Sequence, residues 1–130
     1  MEGKKVLVVD DVKKIRELLE MRLTSEGYEV ILGKNGEEGV ELAKKHLPDA
    51  IIMDVMMPRM DGAEAVRFIK ENPATKHIPI MFLTSIITKE EEDSQPFGIQ
   101  LDSSKHKFMA KPFDTPVLLE EIKKMVSTPR

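Results

Sequence analysis

Ala50-Ile51-Ile52-Met53 is an unbroken apolar run that stops at a carboxylate, Asp54. Apolar residues without polar alternation are what a strand buried on both faces needs, and a sheet covered by helices on each side offers that place. Pro58 and the pair Asp61-Gly62 follow as turn punctuation. A carboxylate at the C-terminal mouth of a central parallel strand stands where open α/β sheets keep their chemistry. Lys5-Val6-Leu7-Val8-Val9-Asp10 repeats the pattern, and a second acid, Asp11, comes directly after it.

Helical spacing separates the runs. Val12, Ile15, Leu18, Leu19 and Leu23 recur as one apolar face, with Asp10 or Asp11 as the cap and Gly27 as the stop. A second strand is expected over Tyr28 to Leu32. Asn35 then caps a helix carrying Val40, Leu42 and Ala43, Glu38 completes a capping box, and Leu47-Pro48-Asp49 ends it. Asp61 opens a third helix with Ala63, Ala65, Val66, Phe68 and Ile69, closed by Asn72-Pro73. Ile78 to Thr84 and Lys107 to Ala110 read as two further strands. Asp114-Thr115-Pro116 starts a last helix over Val117 to Val126, its face made of Val117, Leu118, Ile122, Met125 and Val126. Alternating strands and helices predict an α/β fold, a three-layer sandwich with right-handed crossovers.

One segment breaks the rhythm. A fourth helix is due between Thr84 and Phe108, and Thr88 with Glu91 offers it a start. Pro96 and Gly98 interrupt it, so an irregular or broken helix is expected there. Residues 92–106 are expected to be the least ordered stretch, with Phe97 either a core residue or an exposed contact.

Composition narrows the function. The 130 residues suit one domain, 1–130, with no separate output domain. Lys+Arg 20 against Asp+Glu 23 gives a net charge of -3, which argues against a basic nucleic-acid module. No cysteine is present, excluding thiol chemistry and cysteine metal sites. Neither a signal peptide nor a membrane span fits the N-terminus, so a cytoplasmic protein is expected. Val9-Asp10-Asp11-Val12 holds no glycine, which argues against a phosphate loop or dinucleotide fingerprint. His46, His77 and His106 are not spaced as ligands and read as surface residues.

In a parallel sheet the C-terminal strand ends open on one edge, and Asp10, Asp11, Asp54, Thr84 and Lys111 all fall at such ends. Three carboxylates gathered there repel one another and call for a cation. Oxygen ligands without His or Cys favour Mg2+. Lys111 suits a phosphoryl oxygen and Thr84 can donate its hydroxyl. The set reads as a site for placing a phosphoryl group on Asp54.

Val8-Val9-Asp10-Asp11, Asp54-Val55-Met56-Met57-Pro58-Arg59-Met60-Asp61-Gly62, Thr84-Ser85 and Lys111-Pro112-Phe113 together resemble the receiver domain of two-component response regulators, over essentially the whole chain. The resemblance is to the stand-alone kind, similar to the chemotaxis response regulator. It implies a flavodoxin-like (βα)5 fold whose five-stranded sheet has the order 2-1-3-4-5. It also implies phosphorylation of Asp54 by a sensor histidine kinase or a histidine phosphotransfer protein. Asp11, Asp54 and the Met56 carbonyl would hold Mg2+, with Asp10 acting through water. Thr84 and Lys111 would bind phosphoryl oxygens, and Thr84 with Phe108 would form the switch that changes binding of a downstream protein. Such a domain catalyses its own phosphorylation and dephosphorylation and is not a turnover enzyme. It would be a monomer or a weak phosphorylation-dependent dimer, with no direct nucleic-acid or membrane contact. The stretch Leu101-Asp102-Ser103-Ser104-Lys105-His106 departs from the small-residue turn the family shows before its fifth strand.

Two other readings compete. An aspartyl-phosphate phosphohydrolase would want an acid two residues after its nucleophile, where this chain has Met56. A degenerate, phosphate-independent protein-binding module would not need the full set of Asp10, Asp11, Thr84 and Lys111.

Overall fold

A computed structural model describes residues 3–55, 57, 60–84, 107–110 and 115–127. Their order is β1 (Lys5–Val9), α1 (Lys13–Ser25), β2 (Glu29–Gly33), α2 (Gly36–His46), β3 (Ala50–Asp54), α3 (Gly62–Glu71), β4 (Ile80–Thr84), β5 (Lys107–Ala110) and α4 (Thr115–Ser127). The strands form one parallel sheet in the order β2-β1-β3-β4-β5. The irregular helix expected between Thr84 and Phe108, Phe97 included, lies outside the described residues.

The apolar runs have a direct cause. Leu7, Val9, Ile51, Met53, Ile80 and Phe82 pack with α2 and α3 residues such as Val40, Ala65 and Ile69. Their alternates Val6, Val8, Ala50, Ile52, Met81 and Leu83 pack with Leu19 and Leu23 of α1 and Leu118 and Ile122 of α4. Strand side chains alternate in direction, so a strand covered on both faces must be apolar at every position. β2, at the sheet edge, is accordingly the mixed strand, with Glu29 exposed and Val30, Ile31 and Leu32 half-buried. This is the three-layer, flavodoxin-like (βα)5 architecture. No helix of the described residues is long and apolar enough to cross a membrane.

The helix ends follow their sequence signals with instructive variations. Gly27 has φ +91, and its N–H and that of Tyr28 donate to the carbonyls of Thr24 and Leu23 at 3.0 and 3.2 Å. That pair of bonds is the Schellman arrangement, which needs a left-handed residue where glycine costs least. Asn35 Oδ1 accepts from the Glu38 N–H at 2.8 Å, as a cap should. Glu38 reaches back to the amide of Lys34, at 2.9 Å, rather than to that of Asn35. α2 ends on Leu47 in the left-handed region, φ 48, before Pro48. Asp61 caps α3 through the Glu64 amide at 2.8 Å.

Three apolar residues leave the faces that periodicity gave them. Val12 is the exposed N-cap residue of α1, outside the helix proper. In α3 the buried stripe is Gly62, Ala65, Val66 and Ile69, which leaves Phe68 41% exposed beside the Arg67 guanidinium, 5.5 Å from its ring centroid. In α4 the stripe is Leu118, Ile122, Met125 and Val126, and Val117 is 52% exposed. A helix buries a band of limited width, so apolar residues at its margin stay in water.

Tyr28 supplies a pH response. Burial, and then the charge of Glu26, push its phenol above the ordinary value of 10.0. The fold therefore favours the neutral phenol. Its contribution is complete below the unfolded-state value and lost as pH rises through the folded-state value. Tyr28→Phe keeps the ring and removes the titration, so the variant should lose less stability than the wild type above about pH 10. Urea unfolding midpoints across the alkaline range test this, and parallel profiles would contradict it.

Candidate functional site

The site grows out of the sheet register. β1 and β3 are neighbours, and Val9 pairs with Met53. An acid follows each of these residues, Asp10 just beyond β1 and Asp54 at the end of β3, so the two stand level at one edge of the sheet. The chain order reverses between β1 and β3, where doubly wound sheets open a crevice beyond the strand ends. Asp11 joins from the loop after β1. Carboxylate oxygens of Asp10, Asp11 and Asp54 lie within 4.8 Å of one another.

Burial divides the three. Asp10 is fully buried and Asp54 is 3% exposed, whereas Asp11 faces solvent. Asp10 is held in place from several directions. Its amide donates to the Gly33 carbonyl at 3.1 Å, which prolongs the β1–β2 ladder by one residue. Its Oδ1 accepts from the Val12 N–H at 2.8 Å, and its carbonyl accepts from Arg16 Nη1 at 2.7 Å. The carboxylate expected to cap α1 thus closes the turn one residue before the helix. The N-cap position belongs to Val12, whose side chain makes no cap bond.

Negative charges gathered this closely repel one another, most strongly where they are buried, as at Asp10 and Asp54. A cation among them would relieve that. Two oxygens on one Mg2+ lie at most about 4.2 Å apart, given metal–oxygen distances near 2.1 Å. The observed limit of 4.8 Å is within a sub-ångström adjustment of that, and the donors are all hard oxygens. The residues present therefore fit a magnesium ion.

The model of the response regulator receiver domain matches residues 6–123. The chain belongs to the response regulator receiver domain family. It is 38% identical to the response regulator PleD of Caulobacter vibrioides over 93% of this chain, which spans about a quarter (26%) of that protein's length. It is 31% identical to the polar-differentiation response regulator DivK of Brucella anthropi, over 92% of this chain and 94% of that protein. Among solved structures, the receiver domain of a sensor histidine kinase from Pseudomonas aeruginosa PAO1 superposes with a TM-score of 0.82. It is 28% identical over 97% of this chain and 99% of that one, and it holds a magnesium ion in its active-site cleft.

Within this receiver domain, the acidic cluster is the part of the sequence-predicted site that the structure brings together. Thr84 ends β4 and pairs with Ala110 of β5, and Phe108 pairs with Phe82, as backbone positions. Met56 and Lys111 lie outside the described residues. His46 is half-buried and His77 exposed.

Two contributors escape a reading of the sequence. Arg16 carries no motif, yet it ties the Asp10 backbone to α1. Gly62 reads as a turn residue, but its role is spatial. A Cβ there would collide with the backbone carbonyl oxygen of Asp54 and stand 3.0 Å from Met53 Cγ and 3.1 Å from the Asp54 carbonyl carbon. Its amide meanwhile donates to the Val55 carbonyl at 2.9 Å. Gly62 can stand this close to the end of β3 because it has no side chain.

Proposed function

We propose that this receiver domain takes a phosphoryl group from a phosphohistidine, on a sensor histidine kinase or a histidine phosphotransfer protein, onto Asp54. The observation that carries this is the gathering of Asp10, Asp11 and Asp54 at the switch point of the sheet. Asp54 has the position for the acceptor, at the end of the central buried strand. Asp11, with its exposed carboxylate, Asp54 and the Met56 carbonyl would hold Mg2+, and Asp10 would act through bound water. When bound, the ion neutralises the negative charge that gathers as phosphate approaches three carboxylates.

An Asp54 carboxylate oxygen forms the new P–O bond as the P–N bond of the donor breaks. The electron pair of the broken bond goes to the imidazole nitrogen, which takes up a proton. Lys111 would offset charge on the phosphoryl oxygens and Thr84 would donate its hydroxyl to one of them. Drawing Thr84 inward would let Phe108 turn, shifting the population between two states with different affinity for a downstream protein. Hydrolysis of the acyl phosphate resets the domain. Met56, standing two residues after Asp54, leaves the aspartyl-phosphate hydrolase reading without its acid.

The test is incubation with a small-molecule phosphodonor, with Mg2+ or with a chelator, followed by intact mass. One phosphoryl unit should be gained with Mg2+ and little without it. An unmodified protein in ample Mg2+ would overturn the proposal.

A further inference from the structure

Three glycines without room for a Cβ border the acceptor strand and its following loop, and they come from two different helices. Gly62 at the start of α3 meets Asp54. Gly39 in α2 presses on β1 and β3, where a Cβ would lie 2.9 Å from Val9 Cγ2 and 3.4 Å from Met53 Cε. Gly36, the first residue of α2, faces the β3–α3 loop itself. A Cβ on Gly36 would collide with the Met60 carbonyl oxygen and stand 2.9 Å from Met60 Cγ and 3.0 Å from Met60 Cβ.

We infer that Gly36 is a positioning residue for the phosphoacceptor site, acting through Met60 on the β3–α3 loop. The inference rests on the assignment of Asp54 as acceptor. α2 is anchored at its start by the Asn35 cap, by Glu38 on the Lys34 amide and by Gly39 against Val9. A side chain at position 36 therefore displaces its neighbour rather than the helix. That neighbour, Met60, is two residues from Gly62, whose amide donates to the Val55 carbonyl and where an added Cβ would collide with the Asp54 carbonyl oxygen. A push at Met60 reaches the acceptor backbone along the chain through Asp61, because Gly62 is buried against Asp54 with no space to retreat into. The start of α2 thus sets how closely the loop approaches the acidic cluster.

The experiment compares Mg2+ affinity by calorimetry, hydrogen exchange of the amides from Val55 to Gly62, and the urea midpoint in wild type, Gly36→Ala and Ala43→Gly. Ala43 is buried further along α2, and its replacement weakens the same helix without adding a side chain that could push on Met60. Gly36→Ala should weaken Mg2+ binding about tenfold, in the range that loss of outer-shell support costs, and speed loop exchange. Ala43→Gly should lower the midpoint while Mg2+ affinity stays at the wild-type value. Wild-type Mg2+ affinity in Gly36→Ala, or equal weakening in both variants, overturns the inference. Should Gly36→Ala not fold, Met60→Ala withdraws the loop's contact from the other side. Weaker Mg2+ binding is again expected there, and unchanged binding counts against the role. A wild type that binds no Mg2+ at all contradicts the reading of the site itself, a separate outcome.

Discussion

Among the described glycines with no room for a Cβ, Gly62→Ala should be the most damaging change, lowering stability by about 3 kcal/mol and weakening Mg2+ binding with it. At the first position of α3, alanine is the better helix former, by up to about 1 kcal/mol. Propensity alone would make the variant more stable. The loss comes from the collision with the Asp54 carbonyl, which is backbone at the end of a fully buried strand and has no rotamer to give way. Either β3 shifts, which disturbs its pairing with β1 and β4, or the turn that ties Gly62 to Val55 opens. The first route moves the carboxylate of Asp54 away from those of Asp10 and Asp11, and the second releases the residues that follow Asp54 from their place beside the cluster. Urea unfolding and Mg2+ calorimetry on the same preparation check both effects. A stable variant with intact metal binding would show that the loop tolerates displacement.

Asp11→Ala separates binding from folding. Asp11 is the exposed member of the cluster and sits outside β1 and before α1, so no strand pairing depends on its side chain. In the proposed ligand set its removal takes away one direct oxygen ligand, and Mg2+ affinity should fall by more than the roughly tenfold that loss of an outer-shell partner costs. Without metal, the midpoint should hold or rise, because a repelling charge has left two buried carboxylates. Calorimetry and urea unfolding in a metal-free buffer make the comparison. An unchanged Mg2+ affinity would remove Asp11 from the ligand set.

The parts legible in the sequence are those set by local chemistry along the chain. β3 could be read because a strand covered on both faces must be apolar throughout, and its end could be read because Asp54 breaks that run. The caps at Asn35 and Asp61 and the left-handed turn at Gly27 were legible because each depends on a few consecutive residues. Phe68 and Val117 were misplaced on buried faces because spacing gives a helix its period but not which flank its neighbours cover. Gly36 and Gly62 were opaque for a deeper reason. The space denied to their Cβ atoms belongs to Met60 and Asp54, and only the folded chain brings those residues near. Asp10 as a buried, backbone-tied member of the site was half legible. The acid was visible, but whether it capped a helix or closed a turn depended on where α1 began.

The direct test of the central claim is where the phosphoryl group goes. Wild type and Asp54→Asn are treated with the same phosphodonor and Mg2+, and intact mass is followed by peptide mapping. The asparagine keeps the size of the side chain and removes the nucleophilic carboxylate. Phosphoryl gain in the wild type confined to the peptide containing Asp54, with none in Asp54→Asn, is the expected result. A mass gain that persists in Asp54→Asn, or that maps to another peptide, would contradict the assignment of Asp54 as the acceptor.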